Sequence, residues 1–190
     1  ESGAPGLDTR LRRYSTTRGK VLDQKAVSIE AGGKSPHVVF DDVEDWDRLV
    51  DTIAGGVYYN AGQACTSGSR VVVHESVHER LVADLVAKAG SWTPGDPLAA
   101  STQMGPVASR AQLDGILAKL AANRSGTVVT GGRVAEPVAG GFYLEPTIID
   151  GVDNASPIAQ QEIFGPVLTI STFREDAEAL ALANDTVYGL

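Results

Sequence analysis

The sequence predicts an α/β layered domain with a largely parallel sheet, and three observations carry that prediction. Short apolar runs alternate with stretches whose apolar residues recur at spacings of three and four. Two of those stretches are preceded by a serine with Glu or Gln three positions on, the signature of a helix start. The 190 residues, 43% hydrophobic and 21% charged, suffice for a globular protein of one or two domains with a real core.

In chain order, Val27 to Ala31 and His37 to Phe40 read as short buried strands. Trp46, Leu49, Val50, Ile53 and Val57 then mark a helix by their spacing. Arg70 to His74 holds three consecutive valines and reads as a strand. Ser76 with Glu79 forms a capping box that opens a helix carrying Leu81, Val82, Leu85 and Val86. Ser109 with Gln112 opens another, with Leu113, Ile116, Leu117 and Leu120 on its apolar stripe and Gly126 as its stop. Strands follow at Thr127 to Thr130, Tyr143 to Ile149 and Val167 to Phe173, and a helix from Asp176 to Asn184 closes the pattern. Tyr188-Gly189-Leu190 stands where another strand is expected, so the sequence reads as cut short.

Composition narrows the function. No apolar run approaches the roughly 18 residues of a membrane span, so no membrane association is expected. Cys65 is the single cysteine, which excludes an internal disulfide and a cysteine-cluster zinc site and suits a reducing compartment, the cytoplasm. A net charge of −8 argues against nucleic-acid binding. Residues 1–25 run against that balance with a net of +3, read here as a solvated face rather than a nucleic-acid arm.

Several motifs fail on inspection. His74-Glu75-Ser76-Val77-His78 spells the zinc-protease pattern, but His74 ends a strand and Ser76 begins a helix, so the two rings do not share a helical face. His37 is the only other histidine, and no metal is expected. Gly33-Lys34-Ser35 resembles the end of a phosphate-binding loop, yet Ser28 occupies the position of its first glycine. Two residues invite closer reading. Cys65 lies in a small, polar, glycine-bearing stretch between a helix and a buried strand, which places a thiol at the mouth of a site, although a single cysteine is more often a small buried filler. Glu30 follows Val27-Ser28-Ile29, so its carboxylate is expected at the end of a buried strand, as a general base or as a salt-bridged strand-end acid.

These segments do not stand alone. Ile29-Glu30-Ala31-Gly32-Gly33-Lys34-Ser35-Pro36, Asn60-Ala61-Gly62-Gln63-Ala64-Cys65 and Glu162-Ile163-Phe164-Gly165-Pro166-Val167 resemble, in order and spacing, the three signature blocks of the NAD(P)-dependent aldehyde dehydrogenase family. Met104-Gly105-Pro106-Val107, Gly141 to Thr147 and Ala183 to Leu190 agree as lesser blocks, and the resemblance covers roughly residues 25–190. It implies a Rossmann-like catalytic domain over 33–190, incomplete at its C-terminus, with 1–32 a remnant of the cofactor-binding domain.

The resemblance also implies the chemistry. Cys65 would attack an aldehyde as a thiolate, and the resulting thiohemiacetal would lose a hydride to NAD or NADP and become a thioester. Free cysteine ionises near pH 8.5, so the site must favour the thiolate. Glu30 would activate the hydrolytic water, and the Cys65 N–H would give one oxyanion donor. Glu162 would bind the nicotinamide ribose, Phe164 would pack beside the nicotinamide, and Gly32 would allow close backbone approach. The small-molecule aldehyde is the expected partner, with a homo-oligomer implied for full-length members. Complete members are roughly two and a half times as long by ordinary domain sizes, and the N-terminal cofactor-binding portion and the oligomerisation strand are missing here. An inactive truncated fragment serving as a binding or interaction module is the alternative. Gln161 stands where many members carry an acid, and Glu30-Ala31-Gly32-Gly33 resembles members acting on amino- or glutamylamino-aldehydes.

Overall fold

The computed structural model describes residues 30–190. The basic lead-in and the strand expected from Val27 lie wholly or mostly outside that range, and Glu30 and Ala31 within it are not in a strand. The element order is β1 (Pro36–Val39), α1 (Trp46–Tyr58), a 3₁₀ turn (Tyr59–Gly62), β2 (Arg70–His74) and α2 (Glu75–Ala89). There follow α3 (Arg110–Ala122), β3 (Thr127–Thr130), β4 (Val134–Ala135), β5 (Tyr143–Leu144), β6 (Thr147–Asp150), α4 (Pro157–Gln160), β7 (Val167–Phe173) and α5 (Asp176–Asn184).

Among the described residues, five strands form one sheet in the order β1-β2-β7-β6-β3. Its first three pairings are parallel and the last, β6 with β3, is antiparallel, which meets the expected largely parallel α/β layer. Strands β1, β2 and β7 run in step, with Pro36 opposite Arg70 and Arg70 opposite Thr169. The three valines of β2 show why its apolar run is unbroken. Val71 and Val73 join the main core with Ile53, Leu81, Leu85 and Ile170, while Val72 packs on the opposite face with Phe173 and Ala179 of α5. A strand covered on both faces has no polar side to alternate with.

Three boundaries differ from expectation. Helix α2 starts at Glu75 and is capped by His74, whose Nδ1 accepts from the Ser76 N–H at 3.3 Å, so Ser76 is not the cap. An imidazole nitrogen is as good an acceptor as a hydroxyl when it sits one residue ahead of the first turn. The stretch from Tyr143 to Ile149 is two strands, because Pro146 has no N–H for a ladder; β5 pairs with β4 and β6 joins the main sheet. Helix α3 ends at Ala122 with Asn123 as cap, and Gly126 (φ +71°) instead turns the chain into β3. Its start matches expectation: Ser109 is the N-cap, its hydroxyl accepting from the Gln112 N–H at 3.2 Å. The single-turn α4 and the two-residue β4 were too short to leave a periodic signal.

Candidate active site

Three loops meet at the amino ends of the parallel strands β1, β2 and β7. They are the turn Glu30 to Ser35, the stretch Gln63 to Ser69, and Gln161 to Pro166. Ligands in open parallel sheets ordinarily sit at the carboxyl ends, so this site occupies the opposite edge. Together the loops enclose a cavity of about 410 Å³ lined by Glu30, Ala31, Gly32, Gln63, Ala64, Cys65, Glu162 and Phe164. All five residues singled out from the sequence therefore line one space.

The stretch before Cys65 owes its shape to three consecutive left-handed residues, Asn60 (φ 52°), Ala61 (φ 53°) and Gly62 (φ 69°). Asn60 and Gln63 lock the turn reciprocally: Asn60 Nδ2 donates to the Gln63 carbonyl at 3.0 Å, and Gln63 Nε2 donates to the Asn60 carbonyl at 3.2 Å. Gln63 Oε1 also accepts from the Ala108 N–H at 2.8 Å, tying the turn to the entrance of α3. The Ser67 N–H donates to the Ala64 carbonyl at 3.0 Å and closes a tight turn with Cys65 on its shoulder, half-buried. Behind it the His37 ring fills a slot left by Gly56 and Gly68, and burial holds this imidazole below its ordinary range, hence neutral.

Glu30 is exposed at the cavity rim rather than at the end of a buried strand. The physical reason is that the chain from Glu30 to Ser35 runs as an open turn, with β1 starting only at Pro36. Across the cavity, Glu162 Oε1 accepts from the Gly33 N–H at 3.2 Å. A β-carbon on Gly32 would run into the same carboxylate.

Helix α3 supports the opposite wall. Gln112 and Lys119, seven residues apart and so on one face, reach the backbone of the third loop. Gln112 Nε2 donates to the carbonyls of Ile163 (3.2 Å) and Phe164 (2.7 Å), and Lys119 Nζ donates to the carbonyl of Glu162 at 2.6 Å. These bonds hold Phe164 in a left-handed conformation (φ 56°) that a phenylalanine rarely adopts, and the residue, 38% exposed, lines the cavity. Sequence reading missed Gln112 and Lys119 as supports. The available signal was two polar residues at heptad spacing set into an apolar stripe.

Beneath the floor lies fully buried Arg70. Its guanidinium donates to the carbonyls of Lys34 (3.4 Å), Leu182 (2.7 Å) and Ala183 (2.8 Å) and to Asn154 Oδ1 (2.9 Å). Lys34 is buried beside it, and its amine is pulled down to about 7, by burial first and then by Arg70 and Lys119, with Glu162 opposing. His74 and His78 lie away from this space. His74 is engaged with Ser76 and the Arg174 carbonyl, and His78 Nε2 meets Asp150 Oδ1 at 2.7 Å. Among the described residues no three His, Cys, Asp or Glu side chains gather as metal ligands.

A thiol, a carboxylate at the rim, a second carboxylate fixed by a backbone N–H and an aromatic wall thus share one cavity. A sequence profile of the aldehyde dehydrogenase family matches residues 14–190. The chain belongs to that family. The match begins earlier than the 25–190 expected from the motifs alone. Among curated relatives, aminoaldehyde dehydrogenase 1, peroxisomal, from Pisum sativum is 43% identical over 180 residues, which is 94% of this chain and 35% of that protein. Aminoaldehyde dehydrogenase 2 from Zea mays is 42% identical over 87% of this chain and 33% of its own length. In structure, an indole-3-acetaldehyde dehydrogenase complexed with NAD+ superposes with a TM-score of 0.89 at 40% identity, over 99% of this chain and 38% of that one. The chain spans about a third of the length of the curated aldehyde dehydrogenases it matches. No helix among its described residues is long and apolar enough to cross a membrane.

Proposed function

We propose that residues 33–190 form most of the catalytic domain of an enzyme that oxidises an aldehyde to a carboxylate with NAD or NADP, with 1–32 the tail of its cofactor-binding domain. The observation that carries this reading is the meeting of Cys65, Glu30, Glu162 and Phe164 around one cavity. Cys65 Sγ, as thiolate, adds to the aldehyde carbon, and the Cys65 N–H donates to the developing oxyanion. Glu30 then takes a proton from a water molecule that attacks the thioester carbon, and the Cys65 thiolate departs, leaving the carboxylate. The exposed position of Glu30 lets it exchange that proton with solvent between turnovers.

The cofactor's reacting end fits the opposite wall. A carboxylate already held by one N–H accepts a pair of ribose hydroxyls, and the side-chain-free Gly32 leaves room for backbone approach. Phe164 supplies a flat apolar surface for the nicotinamide ring. Once bound, NAD(P) supplies acceptance of the hydride that separates thiohemiacetal from thioester.

An amino- or ammonium-bearing aldehyde is the substrate class we favour, supported by the Glu30 to Gly33 sequence and by relatives named for aminoaldehydes and betaine aldehyde. The full-length protein is read as a cytoplasmic homo-oligomer, although the pea relative's name places that protein in peroxisomes. The test is NAD+-dependent oxidation of aminoaldehydes, betaine aldehyde, indole-3-acetaldehyde and simple aliphatic aldehydes by the protein in its natural full length. Cys65→Ala is expected to abolish NADH formation, and Glu30→Gln to give one burst and then stall as the thioester. Absence of Cys65-dependent NADH, with Cys65 still open to alkylation, would support the inactive binding-module alternative instead.

A further inference from the structure

The turn that leads to Cys65 and the loop that carries Phe164 meet backbone to backbone. A β-carbon on Gly62 would run into the Gly165 carbonyl and the Pro166 nitrogen, so at that point main chain rests on main chain. Gly165 is pressed from behind by Ile116 of α3, whose Cδ1 stands where a β-carbon on Gly165 would go. A single point of packing fixes a distance but not an angle. Cys65 lies on one arm of this contact and Phe164 on the other, so a tilt about it changes how far the cavity's aromatic wall stands from the thiol.

Two amides remove that freedom, both through the start of α3. Gln63 Oε1 accepts from the Ala108 N–H at 2.8 Å, which joins the Cys65 turn to the residue before the α3 N-cap. Gln112, in the first turn of the helix, uses both hydrogens of its amide on the other arm, at the carbonyls of Ile163 and Phe164. The start of α3 is itself fixed, since the Val107 N–H donates to the Phe142 carbonyl at 2.8 Å and the Val107 side chain is buried. Gln112 bears on one residue above all. Phe164 sits at φ 56°, a conformation that a side chain with a β-carbon keeps only where its surroundings impose it. Glu162 does not depend on the same amide, because Lys119 holds its carbonyl and the Gly33 N–H its carboxylate.

We propose that Gln112 is a positioning residue that sets the gap across which the hydride passes. The proposal rests on reading Phe164 as the surface beside the nicotinamide and Cys65 as the nucleophile. With the amide in place, Phe164 keeps the wall at a fixed distance from Cys65. Without it, Phe164 relaxes toward negative φ, the wall shifts, and hydride transfer slows. Hydrolysis of the Cys65 thioester calls on Glu30 and water and does not cross that gap, so the role of Gln112 is confined to one half of the reaction.

The experiment compares wild type, Gln112→Met and Gln112→Lys in the full-length protein by two reactions. One is aldehyde oxidation at saturating NAD+. The other, without NAD+, is hydrolysis of para-nitrophenyl acetate, in which Cys65 Sγ adds to the ester carbonyl and expels para-nitrophenolate, and water activated by Glu30 then releases acetate. Gln112→Met keeps the length of the side chain and removes its donors. Its kcat for aldehyde oxidation is expected to fall about ten- to hundredfold, the scale of a small misplacement of reacting groups, while ester hydrolysis stays within about twofold of wild type. Gln112→Lys restores a donor, as Lys119 already serves a carbonyl of the same loop, and should recover most of the loss. A crystal structure of Gln112→Met should show Phe164 at negative φ. Equal loss of both reactions overturns the proposal and marks a merely structural glutamine. A rise in KM for NAD+ with kcat unchanged overturns it as well, because that is the mark of uniform binding. So does a Gln112→Lys protein no better than Gln112→Met, or a Phe164 that has not moved. Wild type that forms NADH beside equally active variants removes the role of Gln112 alone. Wild type that hydrolyses the ester but forms no NADH removes the aldehyde-oxidising reading, and this proposal with it.

Discussion

Gly32 carries a hydrogen where any other residue would carry a carbon lodged in the Glu162 carboxylate. The obstacle is the far end of a flexible side chain, so Gly32→Ala should cost stability little, less than about 1 kcal/mol. The displaced carboxylate should instead weaken NAD+ binding, by about tenfold or 1.4 kcal/mol. A thermal melt beside a binding isotherm separates the two effects, and a large fall in melting temperature with intact binding would contradict this account. Lys34 leaves a different mark, on stability. Its amine ionises at 10.5 unfolded and about 7 folded, so between those values the unfolded chain binds more protons and unfolding becomes harder as pH rises. The slope can reach about 1.4 kcal/mol per pH unit, and Lys34→Met should flatten it in urea titrations from pH 7 to 10. These residues show what a sequence conceals. Cys65, Glu162 and Phe164 were legible through their motif blocks, whereas Lys34 looked like a failed phosphate loop, because its burial comes from β2, α3 and the final segment, none adjacent to it in the chain.

The connection between α1 and β2 is a turn shaped by three left-handed residues that sets the position of Cys65. A β-carbon on Gly62 would meet the Gly165 backbone, which cannot swing aside as a side chain can, and the residue sits at φ 69°. Gly62→Ala should therefore destabilise by about 2–4 kcal/mol, combining left-handed strain with a main-chain clash. It should also slow Cys65 alkylation, and unchanged alkylation with unchanged stability would show that the loop tolerates a shift. Helix α1 was readable because its three- and four-residue spacing matches its buried Val50, Ile53 and Val57, and strands β2 and β7 because short, mostly apolar runs mark strands buried on both faces. The errors fell where one atom decided the outcome: the missing N–H of Pro146 divides a strand, and the ring nitrogen of His74 takes a cap that Ser76 was expected to hold.

Across the whole molecule, the site hangs from the amino ends of three parallel strands, and Arg70 anchors that edge from below. Its four hydrogen bonds reach Lys34, Asn154, Leu182 and Ala183, far apart in sequence. Arg70→Met keeps much of the volume but strands those acceptors in a dry interior, so a loss of about 3–5 kcal/mol is expected in urea unfolding. A loss below about 1 kcal/mol would mean that water reaches them. The largely parallel sheet followed from the alternation of helical and extended patterns. Its use of the amino edge did not, because local periodicity carries no sign for which end of a strand a loop will serve.

The span of the Arg70 bonds sets an order of events during synthesis. Cys65 and the Gly32-Gly33 turn emerge before the carbonyls of Leu182 and Ala183 that complete the anchor, which lie more than a hundred residues downstream. Contacts so distant in the chain close late. Until they close, the sheet edge that carries the three loops lacks its anchor, and the cavity around Cys65 takes its final shape only once α5 has docked.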